Sequence, residues 1–290
     1  MKKQIGYIGL GKMGSAMVAR LRRKGWRVVS YDANGTGAAK TIEQLMSALE
    51  APRVIWIMVP AGKPVDDVIQ ELIPYFSKGD IVVDGGNSFF EDSFRRAEKL
   101  RRIGVSFVDV GVSGGPETVR KGKPALMIGG EKSMFGKLKP LFADITRRVS
   151  FEYMGASGAG HFVKMVHNGI EYGMMQALAE GFTLLKHSPF AVNLKEVARV
   201  YNNGSVIESR LVDWLERGLK RYGQDLEGAS GSVAHTGEGE WTVKTAKKFG
   251  MSLPVIEASF DFRVRSAKKP SYTGKILSLL RHMFGGHNIK

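Results

Sequence analysis

Four polar residues in the second half of the chain are spaced so that they could act together in proton transfer. Lys164, Asn168 and Glu171 stand at positions i, i+4 and i+7, so on a helix they share one face, and His167 borders Lys164. Burial that lowers the pKa of a lysine lets it take a proton, and burial that raises the pKa of a glutamate lets it give one. The spacing alone leaves a second interpretation open, a surface stripe of Lys and Glu.

Glycines near the N-terminus predict a nucleotide site. Gly9, Gly11 and Gly14 form a G-x-G-x-x-G pattern that follows a predicted strand and opens a predicted helix. Gly9 allows a tight turn, Gly11 lets a pyrophosphate approach the backbone, and Gly14 lets helix and strand pack closely. The pyrophosphate would then meet the helix N-terminus, whose N–H groups and dipole favour anions.

The acidic residue after the second strand predicts the cofactor. Asp32 stands eighteen residues beyond Gly14, where a carboxylate accepts hydrogen bonds from both ribose hydroxyls and repels a 2′-phosphate. A site for NADP would need an arginine nearby, and Ala33 and Asn34 follow instead. We therefore expect NAD.

Alternating strand and helix patterns fill the first half of the chain and predict a doubly wound, parallel sheet. The predicted strands are residues 4–8, 27–31, 53–59, 80–84, 106–110 and 125–128. The predicted helices between them are residues 13–24, 42–49, 65–72, 90–102 and 132–142.

Strand patterns stop after about residue 153, and helical periods follow at 162–185, 194–201, 206–219 and 255–266. Residues 228–239 are rich in Gly, Ser and Thr and predict a loop. The expected plan is an α/β, Rossmann-like NAD-binding domain at 1–157 and an all-α domain at 158–290 for substrate binding and oligomerisation.

Composition narrows the possible partners. The 290 residues carry a formal net charge of +15 and no cysteine, which excludes disulfides and cysteine zinc sites. The basic residues are scattered and form no nucleic-acid-binding motif, so we expect anionic small molecules rather than nucleic acid. No apolar run approaches the roughly 18 residues of a membrane helix, and no secretory signal is recognisable. We expect a cytoplasmic protein with no membrane partner.

Three segments have a distinctive sequence. They read Asp-Gly-Gly-Asn-Ser at 84–88, Gly-Val-Ser-Gly-Gly-Pro at 111–116, and His-Phe-Val-Lys-Met-Val-His-Asn-Gly-Ile-Glu-Tyr at 161–172. Together they resemble the β-hydroxyacid dehydrogenases and, within these, the 6-phosphogluconate dehydrogenase family. The resemblance covers essentially the whole chain. It extends to a late loop, to an arginine and to the C-terminal tail: Gly237, Gly239, Trp241, Thr242, Arg263, Arg281 and His287.

The resemblance implies oxidative decarboxylation of 6-phosphogluconate to ribulose 5-phosphate, with reduction of NAD. Lys164 would take the proton of the 3-hydroxyl while hydride leaves C3. The β-keto acid would then lose carbon dioxide, with protonated Lys164 polarising the ketone. Glu171 would protonate C1 of the enediol. No metal is needed.

The resemblance also implies the binding residues. The substrate carboxylate and hydroxyls would contact Asn87, Ser113, Gly114, Gly115, His167 and Asn168. The substrate phosphate would contact Tyr172 and Arg263, together with Arg281 and His287 from a neighbouring subunit. The cofactor-binding set is Gly9, Leu10, Gly11, Lys12, Met13, Gly14, Asp32, Val59, Pro60 and Asn87.

Departures from the family pattern concern the substrate. The chain is too short for the second set of helices of long members and resembles the short bacterial form. Thr236 stands where many long members have a substrate-binding lysine, and Met174 where an aspartate is common. An alternative is a 3-hydroxyisobutyrate-type dehydrogenase for a small unphosphorylated acid, which would not require Glu171. A non-catalytic NAD-binding protein would be expected to have lost Lys164 or Glu171.

A final helix is predicted at 275–283, after a break at 270–274. Its apolar residues recur at amphipathic spacing, so the helix needs a partner. The resemblance favours docking on a neighbouring subunit of a homodimer or homotetramer, and docking on its own domain is the alternative.

Overall fold

The computed structural model describes residues 2–235 and 237–290. It divides into two compact units, Met1–Lys164 and Met165–Lys290. The predicted domain boundary after residue 157 falls shortly before that junction. The expectation about Thr236 lies outside the described residues.

The first unit is built on a seven-stranded sheet in the order β2-β1-β3-β4-β5-β6-β7. The strands are β1 (Gln4–Ile8), β2 (Arg27–Tyr31), β3 (Val54–Ile57), β4 (Ile81–Asp84), β5 (Ser106–Ser113), β6 (Ala125–Gly130) and β7 (Phe151–Gly155). Neighbours pair in parallel except β5 and β6, which are antiparallel. The prediction of an all-parallel sheet is therefore corrected at β6 and β7, which run opposite to the other five strands.

Six helices accompany the sheet: α1 (Lys12–Arg23), α2 (Ile42–Ser47), α3 (Lys63–Leu72), α4 (Phe90–Arg101), α5 (Pro116–Arg120) and α6 (Lys132–Ile145). Successive strand residues enter opposite cores, because strand side chains alternate between faces. Tyr7 packs with α1, α5 and α6, whereas Ile8 packs with α2, α3 and α4. The doubly wound α/β class predicted for this half is confirmed.

Two short elements of this unit were missed. Strand β7 pairs only with β6, at the edge of the sheet. Its Phe151 and Tyr153 pack on the core while Glu152 and Met154 are exposed, so its apolar signal is only half that of a central strand. Helix α5 has five residues, too few to show a helical period.

The second unit is helical. It contains most of α7 (Ala159–Lys186), which begins in the first unit, and α8 (Leu194–Tyr201), α9 (Arg210–Tyr222), α10 (Glu238–Lys248), α11 (Pro254–Ser266) and α12 (Tyr272–Gly285). This confirms the all-α class. Among the described residues, none of the helices is long and apolar enough to cross a membrane.

Helix α10 was not predicted, and its first residues were assigned to the loop at 228–239. Its sequence contains glycine, threonine and valine, which have modest helix propensity. Tertiary burial of Thr242, Val243 and Ala246 stabilises the helix instead. The helix predicted at 206–219 begins only at Arg210, after Ser209, whose side chain accepts the N–H of Val212.

The final helix docks on its own unit. Ile276, Leu277, Leu279 and Leu280 are fully buried in the core of the second unit. Leu279 packs so closely on Gly218 of α9 that a Cβ at this glycine would lie 2.7 Å from it. The apolar face of α12 therefore needs no neighbouring subunit, and the expectation of docking across a subunit boundary was wrong.

Candidate active site

In the loop after β1, two positions require glycine, and at a third position a side chain would meet no other atom. Gly9 has a φ of +97°, and a Cβ there would lie 2.4 Å from the Met58 carbonyl oxygen. A Cβ on Gly14 would lie 2.0 Å from the Gly9 carbonyl oxygen. Gly11 faces open space, and no side chain caps the helix that begins at Lys12. The loop thus has the form of a pyrophosphate cradle, with the α1 N-terminus directed at it.

Asp32 connects the end of β2 to this loop. Its Oδ2 accepts the N–H of Leu10 at 2.6 Å, and its Oδ1 accepts the N–H of Asn34 at 2.9 Å. These backbone donors lower the pKa of Asp32, so the carboxylate is charged and fixed in orientation. Lone pairs remain on both oxygens for the ribose hydroxyls. The residues therefore fit a nicotinamide dinucleotide.

Loops after β1, β3 and β4 converge beside the cradle. A Cβ on Gly9 would lie 3.1 Å from Val59 Cγ1, and one on Gly86 would lie 3.1 Å from the Val59 carbonyl oxygen. Leu10 and Met13 pack on the core, whereas Lys12 and Pro60 are exposed. This is the point where the strand order reverses direction, the usual ligand crevice of such sheets. The predicted cofactor residues lie in these loops or in the first turn of α1, except Asp32, which follows β2.

A buried arginine, missed in the sequence, holds two of these loops. Arg96 of α4 is 1% exposed, and its Nε donates to Asp66 of α3 at 2.8 Å. It also donates to the Gly62 carbonyl oxygen at 2.9 Å and to Asp84 at 3.4 Å. Asp84 in turn accepts the Ser88 hydroxyl at 2.8 Å, so exposed Asn87 lies within an anchored turn.

Lys164 lies against β5, next to the second predicted substrate loop. A Cβ on Gly111 would lie 2.4 Å from the Lys164 Cβ, so only glycine allows this approach. Two residues further on, the strand ends at Ser113. Half-buried Gly114 (φ +127°) and Gly115 then lead into α5. The structure therefore places Lys164 against the strand that leads into this loop.

In the second unit, α7 presents a second group of predicted residues. His167 Nδ1 lies 3.1 Å from Asn168 Oδ1 and 3.8 Å from Glu171 Oε2. The Glu171 side chain is 25% exposed, which leaves it accessible to a ligand. The continuous helix confirms that Lys164, Asn168 and Glu171 belong to one helical element.

The late glycine and threonine residues explain how α10 packs on α7. A Cβ on Gly239 would lie 2.5 Å from the ring of Tyr172. The Thr242 hydroxyl donates to the Met165 carbonyl oxygen at 3.0 Å. Gly169 of α7 also lies against Thr242, and a Cβ at this glycine would lie 2.7 Å from the Thr242 methyl carbon. The packing of Gly239 against its ring holds Tyr172 in place.

Two arginines meet around Tyr172. The guanidinium of Arg263 is 3% exposed and stacks on the ring, with Cζ 3.4 Å from the ring centroid. Burial lowers the pKa of both Arg263 and Arg281, and the charge of Arg281 lowers the pKa of Arg263 further. No described carboxylate forms an ion pair with either arginine. The buried Tyr172 hydroxyl has no hydrogen-bond partner among the described residues. Such a cluster is suited to an anion with several acceptor oxygens.

The C-terminal tail reaches this unit from its own chain. Arg281 belongs to α12 of this chain, and its charge acts on Arg263 of the same unit. The supply of an arginine to the substrate by a neighbouring subunit stays a prediction. The His287 ring packs against Phe284, and the His287 carbonyl oxygen lies 2.7 Å from His282 Nδ1. The structure thus brings Arg281 to the cluster and places the His287 ring against α12.

Known families match both units. A family model for the NAD binding domain of 6-phosphogluconate dehydrogenase matches residues 4–155. A model for the 6-phosphogluconate dehydrogenase C-terminal domain matches residues 160–282. The chain belongs to the 6-phosphogluconate dehydrogenase family. It is thus an oxidoreductase of a decarboxylating family with a Rossmann-type NAD-binding domain, as the sequence predicted.

Relatives of similar length exist within this family. YqeC of Bacillus subtilis strain 168 is 40% identical over 294 residues, with 98% of each chain covered. The NAD(+)-dependent, decarboxylating 6-phosphogluconate dehydrogenase of Haloferax volcanii is 38% identical over 297 residues, with 99% of this chain and 98% of that protein covered.

Solved structures include a longer relative and a more distant one. Plasmodium falciparum 6-phosphogluconate dehydrogenase, studied with NADP+ and with 6-phosphogluconate, superposes with a TM-score of 0.83 at 26% identity, covering 97% of this chain and 70% of that one. Mycobacterium tuberculosis 3-hydroxyisobutyrate dehydrogenase gives a TM-score of 0.75 at 20% identity, covering 97% and 100%. The latter likeness shows the fold alone.

The arginine cluster predicts binding of inorganic phosphate. At ten times its Kd, phosphate should raise the Tm by about 3 °C in a thermal scan, because it binds only the folded protein. Arg281→Met should lose most of this shift. Arg265→Met, on the exposed side of α11, is the matched control and should keep it. An undiminished shift in Arg281→Met would contradict the assignment.

Proposed function

We propose that this protein oxidises and decarboxylates 6-phosphogluconate to ribulose 5-phosphate and carbon dioxide, with NAD as hydride acceptor. The observation that carries the proposal is the pair of arginines around Tyr172, Arg263 buried and Arg281 half-buried, neither of which forms an ion pair with a described carboxylate. It provides a site for a phosphate directly beside Glu171, the proposed acid, whose charge acts on Arg263. An unphosphorylated acid would bring no phosphate charge to the two guanidinium groups, and buried Arg263 would keep its desolvation cost.

Lys164 acts first. Its amine takes the proton of the substrate 3-hydroxyl as hydride leaves C3. NAD held by the glycine loop and Asp32 would supply the oxidation as the acceptor of this hydride. The Lys164 ammonium then donates a hydrogen bond to the C3 ketone oxygen. Its positive charge stabilises the negative charge that develops on this oxygen as the carboxylate departs.

Glu171 completes the reaction. Loss of carbon dioxide leaves an enediol, and the carboxylic acid of Glu171 delivers a proton to its C1, which gives the ketose product. His167 Nδ1 lies 3.8 Å from Glu171 Oε2, so the imidazole is a neighbour of the proposed acid. The remaining residues orient the substrate. Asn87, Ser113, Gly114, Gly115 and Asn168 contact its carboxylate and hydroxyls, and Tyr172, Arg263, Arg281 and His287 contact its phosphate.

The activity is tested with 6-phosphogluconate and NAD, and reduced cofactor and carbon dioxide should form in equal amounts. Lys164→Met should lose roughly 10²–10⁴-fold in kcat because the base acts in the oxidation itself. Glu171→Gln should be impaired in the final protonation, whereas Glu180→Gln, exposed on the same helix, should keep full activity. Full turnover to ribulose 5-phosphate by Glu171→Gln would remove this residue from its role. Oxidation of 3-hydroxyisobutyrate in place of 6-phosphogluconate would establish the alternative function.

NAD is proposed over NADP because the charged Asp32 carboxylate would repel a 2′-phosphate. The same loop contains one cation that could be considered as a partner for a 2′-phosphate, Lys40. Its ammonium is engaged by the loop backbone, because it donates to the carbonyl oxygens of Gly35 and Gly37. The relatives alone do not decide, since the Haloferax enzyme is NAD(+)-dependent and the Plasmodium enzyme has NADP+ as its cofactor.

The cofactor proposal predicts a switch of preference. Asp32→Asn combined with Ala33→Arg should shift the ratio of kcat/KM for NAD and NADP toward NADP by at least tenfold. The asparagine removes the negative charge at similar size, and the arginine adds a phosphate partner. The single change Ala33→Gln is the control for side-chain bulk. A wild-type enzyme with higher kcat/KM for NADP would contradict the proposal.

We also propose that residues 1–157 bind the cofactor, and that residues 158–290 bind the substrate and pair subunits. An apolar stripe on α7 supports pairing: Ile170, Met174 and Leu184 are 52%, 46% and 74% exposed. Their spacing places Ile170, Met174 and Leu184 on one side of α7. Light scattering should give at least twice the mass of one chain, and Leu184→Glu should reduce it. A monomer at assay concentration would exclude the proposed oligomer.

A further inference from the structure

The carboxylate of Asp109, in the middle of β5, holds the first turn of helix α7. The residue is 0% exposed. Its Oδ1 accepts the N–H of Gly158 at 2.7 Å, and its Oδ2 accepts the N–H of His161 at 2.9 Å. Both oxygens of one side chain are thus directed at backbone donors of a single helix start.

No basic side chain among the described residues forms an ion pair with Asp109. A buried carboxylate without a cation is costly unless other groups compensate for its charge. Here the compensation comes from the two N–H groups and from the positive end of the α7 dipole. A Cβ on Gly129 would lie 2.5 Å from Asp109 Oδ1, so β6 closes the space on the other side.

The same strand also fixes the helix further along. Gly111 lies two residues after Asp109, on the same face of β5, and there the Lys164 Cβ makes its close approach. Between these two contacts, a Cβ on Gly160 would lie 2.6 Å from the Asp109 carbonyl oxygen. Asp109 therefore sets the start of the helix, and Gly111 accommodates the turn that carries Lys164.

A second contact acts at the same turn. The Ser93 hydroxyl oxygen of α4 lies 2.8 Å from His161 Nδ1, and both side chains are buried. His161 is thus held through its backbone by β5 and through its ring by α4. Lys164 follows three residues later, on the next turn of the helix.

From this geometry we propose that Asp109 is a positioning residue for Lys164 in the reaction proposed above. Two bonds from one carboxylate define how far α7 is rotated about its axis, and this rotation sets the direction of the Lys164 side chain. An amide cannot replace the carboxylate, because its NH₂ group would face one of the two N–H donors. Displacement of a catalytic group by about 1 Å can reduce turnover by about 10²-fold.

The test compares Asp109→Asn and Asp109→Ala with Asp80→Asn. Asp80 is the matched control because it is also 0% exposed and accepts two backbone N–H groups, those of Arg53 at 2.6 Å and Ser77 at 2.9 Å. All three variants should lose stability. With 6-phosphogluconate and NAD, kcat should fall by about tenfold in Asp109→Asn and by about 10²-fold in Asp109→Ala, with both KM values little changed. Asp80→Asn should keep the wild-type kcat at a temperature where it is folded.

Two further readouts separate positioning from general loosening. Substrate deuterated at C3 should give a larger isotope effect in Asp109→Asn than in wild type, because the oxidation step becomes rate-limiting. Hydrogen exchange of residues 156–165 should accelerate in the Asp109 variants and not in Asp80→Asn. If Asp109→Ala does not fold, Asp109→Asn alone decides.

Three outcomes would overturn the proposal. The first is a wild-type kcat and isotope effect in Asp109→Asn, and the second is an equal loss of kcat in Asp80→Asn. In either case an active wild type leaves the proposed function standing. A wild type that is inactive with 6-phosphogluconate overturns the proposed function, and the role of Asp109 in that reaction falls with it.

Discussion

Close approach of backbone to backbone at the start of α7 is the constraint on which the site depends. Gly160 lies so near the Met127 and Asp109 carbonyl oxygens that a Cβ there would come within 2.5 Å and 2.6 Å of them. No side chain separates the helix from β5 and β6 at this point. The position of Lys164 is therefore determined by the sheet backbone, which is the most rigid part of the unit. A side chain that could change rotamer would fix it less well.

Charge is handled differently in the two units. In the first unit, buried charges are matched: Arg96 meets Asp84 and Asp66, and Asp109 meets a helix N-terminus. In the second unit, Arg263 and Arg281 share one region, and no carboxylate in the part of the chain that the structure describes forms an ion pair with either. The first arrangement stabilises the fold, because each charge has its partner already. The second lowers stability in the absence of ligand and raises affinity for an anion, as expected of a binding site.

The sequence was sufficient where the signal is local. The predicted bounds are correct for β1, β2 and α8. Strand alternation and helical period are properties of a few neighbouring residues, so a short stretch of sequence shows them. Strand direction is not a local property, because it depends on how two strands pair. The short connection between β5 and β6 brings β6 back antiparallel, whereas a parallel pair needs a longer crossover. Helix α10 depends on burial against α7, which overrides its weak propensity.

The site shows the same division. Lys164, Glu171 and the glycines could be found from spacing and from family resemblance. Arg96 and Asp109 could not, because an arginine amid helix residues and an aspartate within a strand acquire meaning only from partners 34 and 52 residues away. The prediction of what α12 docks on was wrong for a related reason. Its apolar face was read correctly, but a face does not specify what covers it.

The reversed strands have a directional consequence. Because β7 runs against β5, the chain leaves β7 at the edge of the sheet opposite the ligand loops. Helix α7 then travels along β5 in the same sense as the strand, meeting Asp109 first and Gly111 next. With a parallel crossover between β5 and β6 in place of this inversion, the helix would start at the ligand edge and carry Lys164 away from it. Because of this inversion, α7 carries the Lys164 amine toward the ligand edge of the sheet. In a doubly wound sheet this edge otherwise has the N-termini of helices.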